Sequence, residues 1–123
     1  MGSPRVDRRL NLDEERVLRH MLSAWPEGAS YVGRLGSLRV VGSCSCGCVT
    51  VDLEDEQRGD PNHPSIPLPV EAEIRSEAGE YIGGVLLFAN IGFLTTLEAY
   101  SVADKPITAW PPNDRLVVKF QGE

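Results

Sequence analysis

The chain has 123 residues, of which 41% are hydrophobic, 24% charged and 7% aromatic, and it carries a formal net charge of −6. That is the size of one domain, and no apolar run approaches the roughly 18 residues of a membrane-spanning helix. Three cysteines cannot pair completely and are too few for a disulfide framework, and the opening residues lack the apolar stretch of a secretory signal, so reduced thiols in the cytoplasm are expected.

Charge is unevenly placed along the chain. Residues 1–40 hold seven Lys/Arg against five Asp/Glu, whereas residues 41–123 hold five against thirteen, and nine carboxylates face two arginines between Asp52 and Glu80. Phosphate backbones are bound by Lys and Arg, so a surface of this sign argues against nucleic acid. It suits a basic protein partner instead.

Residues 1–10 read as a flexible basic leader and 11–123 as a single domain. Asn11 followed three residues later by Glu14 has the spacing of a capping box, with Asp13, Glu14 and Glu15 at the positive end of the helix dipole. Leu10, Val17, Leu18, Met21, Leu22 and Trp25 then fall on one stripe of an amphipathic helix that Pro26 stops. A weaker turn of helix is expected through Ala29, Val32 and Leu35, with Gly33 lowering its stability.

After Gly36 the period changes to 2. Leu38–Gly42 forms a short β-like run, and Val49, Val51 and Leu53 alternate with polar residues as in a half-buried strand. Glu54 to Pro69, with four prolines, reads as an exposed stiff loop. Val70, Ala72 and Ile74 alternate with Glu71, Glu73 and Arg75. Ala78-Gly79 marks a hairpin turn, Tyr81–Ala89 a central strand with a bulge at Gly83-Gly84, Asn90-Ile91-Gly92 a turn, Phe93–Val102 a long strand and Leu116–Phe120 a short final one. Helices before strands make an α+β fold, with one or two N-terminal helices on one antiparallel meander sheet of four to six strands. Cys44–Leu53 and Leu116–Phe120 are its expected outer strands. Partial protection of the latter predicts a monomer in equilibrium with a weak two-fold homodimer.

Cys44-Ser45-Cys46-Gly47-Cys48 is the main chemical signal. Thiolates bind zinc, but a structural zinc site needs four ligands, and only Asp52 and His63 are at hand as a fourth. On an extended strand, offsets of two would place the three sulfurs on one face. Glu98 lies in an otherwise apolar strand beside Tyr100, so a cleft there would suit a small hydrolase or isomerase. Trp110, in Trp110-Pro111-Pro112, either seals a core edge or meets a partner. No nucleophile elbow and no phosphate-cradling glycine loop is present.

The string Val41–Leu53 around the cysteines, Gly84–Phe88, and Leu94–Ser101 with its Leu97-Glu98-Ala99-Tyr100-Ser101, resembles a family of small proteins from high-GC bacteria that has no assigned activity. The resemblance runs from the first helix to about Pro111 and implies a stand-alone cytoplasmic domain, with no catalytic residue to carry over. With no catalytic constellation visible, a non-catalytic binding or regulatory protein of the inhibitor or immunity type, acting on a basic partner, is the first expectation. A thiolate metal or redox site at Cys44, Cys46 and Cys48 is the second.

Overall fold

The computed structural model describes residues 5–57 and 64–121. In chain order these form β1 (Arg5–Arg9), α1 (Leu12–Ala24), α2 (Ala29–Val32), β2 (Leu38–Ser43), β3 (Val51–Asp55), β4 (Ile66–Arg75), β5 (Tyr81–Asn90), β6 (Phe93–Ser101) and β7 (Leu116–Phe120), with single 3₁₀ turns at Pro26–Gly28, Leu35–Ser37 and Asn113–Arg115. The fold is α+β. Its sheet is antiparallel and has seven strands in the order β1-β2-β3-β6-β5-β4-β7. No helix among the described residues is long and apolar enough to cross a membrane.

α1 begins where the capping box places it. The Asn11 side chain accepts from the Glu14 backbone N–H at 2.8 Å, and the Glu14 carboxylate accepts from the Asn11 N–H at 2.9 Å. The same carboxylate takes both Arg8 guanidinium nitrogens, at 2.9 and 2.8 Å, which ties β1 to the helix. Val17, Leu18, Met21 and Leu22 are fully buried, and each contributes about 1.5–3 kcal/mol by leaving water. They pack on Val40, Leu53, Val70, Ala72, Ile74, Val85, Leu87 and Leu97, together with Trp25, Trp110 and Leu116. The core therefore lies on one face of the sheet, and the alternate residues Asp52, Glu54, Glu71, Glu73, Leu86, Phe88 and Glu98 belong to the other face.

Several details differ from the sequence reading. Residues 5–9, expected in a flexible leader, are the edge strand β1, paired with β2. The sheet has one strand more than the upper expectation, and it is two three-stranded antiparallel units, β1-β2-β3 and β4-β5-β6, joined through a narrow β3–β6 seam at Val51↔Leu97 and Asp52↔Thr96, with β7 added on the outer side of β4. The outer strands are accordingly β1 and β7, and β3 is internal. β4 starts at Ile66, inside the expected loop, and a register break between Pro67 and Glu71 accommodates the prolines, which cannot donate to a ladder. The irregularity in β5 falls at Ile82, between the pairs Arg75↔Tyr81 and Ile74↔Gly83, one residue before the two glycines.

Candidate metal centre

The three cysteines lie in the connection between β2 and β3, which is clamped at its base. The Cys44 N–H donates to the Thr50 carbonyl at 3.2 Å, and the Val49 N–H donates to the Ile107 carbonyl at 3.0 Å. The Thr50 hydroxyl accepts from the Ala99 N–H at 3.0 Å and donates to the Ala99 carbonyl at 3.2 Å, so a side chain continues the β3–β6 pairing as the backbone leaves the ladder. Between these anchors the chain makes a tight turn, with Gly47 at φ +92°, a region that only glycine enters without strain.

That turn, rather than an extended strand, brings the sulfurs together. The Sγ atoms of Cys44, Cys46 and Cys48 all lie within 4.8 Å of one another. The Cys46 N–H points at the Cys44 sulfur and the Cys48 N–H at the Cys46 sulfur, each at 3.4 Å. Cys46 is exposed and the other two are half-buried. The three residues are close enough to bind one metal ion. They also hold a disulfide between Cys44 and Cys46, whose Cα atoms are 5.3 Å apart, which leaves Cys48 as the free thiol. Three reduced thiols were expected; the turn folds the Cys44 and Cys46 sulfurs onto each other as a pair.

Cys48 also borders a cleft of about 360 Å³ whose other walls include Arg8, Glu14, Thr50, Thr108 and Trp110. Of the two expected fourth donors, Asp52 does not join the sulfur cluster; its carboxylate lies against Gly42, where an added Cβ would approach its Oδ2 to 2.7 Å. His63 lies outside the described residues. Sequence reading missed Thr50 and the Ile107 carbonyl, which hold the turn, since neither has a local pattern.

The other singled-out residues do not converge. Glu98 stands opposite Leu86 on the sheet face away from α1. Tyr100 is on the same face, its hydroxyl 3.1 Å from that of Tyr81, whereas Trp110 is buried in the core on the helix side. Two carboxylates are buried, Glu14 and Asp55: Glu14 was legible as a capping residue but not as a buried one, and Asp55 was not singled out. Both are satisfied: Glu14 as described, and Asp55 by the Ser37 hydroxyl at 3.0 Å and the Gln57 N–H at 2.8 Å. Comparison with protein-family models, with curated proteins and with solved structures finds no match to this chain.

Proposed function

We propose that the Cys44-Cys46-Cys48 turn binds a soft metal ion of the zinc(II) or copper(I) class. The observation that carries this reading is the convergence of three sulfur donors within 4.8 Å. Thiolate ligands select those ions over hard cations. Three protein ligands also leave a coordination position for solvent or an incoming donor, the pattern of reactive rather than purely structural zinc. Zinc at Cys44, Cys46 and Cys48 is therefore the cofactor to test first. The direct experiment is metal analysis of protein purified without chelator, followed by titration of the anaerobically reduced chain with zinc. One equivalent is expected, and Cys48→Ser should weaken binding by more than the roughly 10–100-fold lost when a mere supporting hydrogen bond to a ligand is removed. A reduced protein that neither carries nor takes up metal would end this reading.

A second reading concerns the opposite side of the molecule. Glu71 and Glu98 flank Leu86 in one register row, and Asp52 and Glu73 lie on the same face. An apolar centre bordered by carboxylates suits a basic protein partner, as an inhibitor or immunity-type protein would require. Partner capture that is insensitive to salt, or that survives Glu71→Lys combined with Glu98→Lys, would count against it.

A further inference from the structure

Two facts about the cysteine turn pull in different directions. Three sulfurs lie close enough for one metal ion, yet two of them, Cys44 and Cys46, are joined in a disulfide across a single residue. A sulfur in a disulfide has lost the anionic charge that makes it a ligand, since metal binding requires the deprotonated thiolate. The oxidised turn offers one thiolate, that of Cys48, where the reduced turn offers three.

We propose that Cys44 and Cys46 form a reversible two-electron dithiol–disulfide couple, and that its oxidised form excludes the metal. The metal half rests on the reading of the turn as a soft-metal site; the couple itself rests on the Cys44–Cys46 pairing. The geometry supplies an entry point and a resolving group. Cys46 is the exposed member and Cys44 is half-buried beside it, with the Cα–Cα separation of 5.3 Å inside the range that a disulfide spans.

The co-reactant is a small-molecule disulfide. The Cys46 thiolate attacks one of its sulfurs, the small disulfide bond breaks, and one small thiolate leaves while a mixed disulfide forms on Cys46. The Cys44 thiolate then attacks the Cys46 sulfur, forming the Cys44–Cys46 bond and expelling the second small thiolate. Two protein thiolates are oxidised, one small disulfide is reduced to two thiolates, and a metal ion held by the turn departs with its charge unchanged. Excess small thiol reverses both steps and restores the three-sulfur set.

The test uses the full chain, anaerobically reduced, loaded with zinc and then treated with glutathione disulfide. Free thiols, bound zinc and intact mass are read at intervals. Thiols are expected to fall from three to one, zinc to be lost in step, and the product to weigh less than the reduced chain by two hydrogen atoms; dithiothreitol should restore both thiols and zinc binding. Cys48→Ser separates the two readings, since it should lose zinc affinity while still closing the Cys44–Cys46 bond. A product that stays glutathionylated or cross-links between chains overturns the couple. Zinc retained at one equivalent after the internal bond has closed overturns the exclusion. If reduced wild type never binds zinc or copper(I), the metal reading fails, and the mass and thiol counts still decide the couple.

Discussion

At Gly47, φ +92° with no heavy atom within 4 Å of an added Cβ means that a side chain has room, and that only the backbone objects. Gly47→Ala should therefore cost about 1–2 kcal/mol of turn stability and lower zinc affinity more than global melting temperature, which metal titration and thermal denaturation would separate. Gly84 poses the opposite case. A Cβ there would run into the hydroxyl and ring of Tyr100, so the glycine lets that ring lie across the sheet and reach Tyr81. The hydrogen bond with Tyr81, which holds the Tyr100 proton, together with partial burial and the Glu71 and Glu73 carboxylates, pushes the Tyr100 phenol up to about 12 from its usual 10.0. Folding thus favours the neutral phenol. The stabilisation is present in full below pH 10 and is lost as pH rises from about 10 to about 12. In Tyr81→Phe the tyrosinate absorbance of Tyr100 should titrate lower, and an unchanged profile would remove Tyr81 as the cause. The cysteine cluster was legible in the sequence as residue types, because few other side chains ligate soft metals. Its convergence was not, because it depends on the φ of Gly47 and on hydrogen bonds that Val49 and Thr50 make with the backbone of Ile107 and Ala99, in distant parts of the chain.

Among the elements, those with local rules were legible. α1 could be placed to within a residue, because its cap, its apolar stripe and Pro26 are all written within fifteen positions. Asn11→Ala removes an N-cap worth about 1 kcal/mol and should lower the melting temperature by roughly 4 °C; no change would mean that the Arg8–Glu14 pair alone fixes the helix start. Leu18→Ala, at a fully buried position, should cost about 2–5 kcal/mol. Strands with one wet face were equally readable, since Val70, Ala72 and Ile74 against Glu71, Glu73 and Arg75 repeat with period 2. β1 was not readable. Its Arg-Val-Asp-Arg-Arg sequence has no apolar face, and it is a strand because β2 offers a ladder and because Arg8 reaches Glu14 and Arg39 reaches Asp7. The beginning of β4 was hidden for a related reason: Pro67 and Pro69 argue against a strand, and only the two-residue register break beside β5 makes room for them.

On the scale of the whole molecule, the order of strands was the least legible feature, since nothing local tells β3 to pair with β6 rather than β4. That order decides which edges face solvent, and the two edges differ. β1 carries four charged residues in five, the usual defence against edge-to-edge pairing. β7, Leu116–Phe120, has only Lys119, which is held by Glu73. A second copy of β7 can pair antiparallel with it about a two-fold axis, and charge selects the register. Centring on Lys119 sets two lysines opposite each other, and centring on Val117 sets Lys119 opposite Arg115; both are unfavourable. Centring on Val118 sets Lys119 opposite the exposed Val117 and Leu116 opposite Phe120, with no like charges opposed. We therefore expect a weak homodimer in this register, visible as a mass that rises with concentration in sedimentation equilibrium. Val117→Lys places a lysine directly across from Lys119 of the other copy and should shift the chain toward monomer. Val117→Glu places a carboxylate there and should tighten the dimer, each by a cross-strand increment of roughly 0.2–1 kcal/mol per pair, counted twice by symmetry. A monomer mass independent of concentration in wild type, in Val117→Glu and in Lys119→Ala would show that the β7 edge is closed to a second copy.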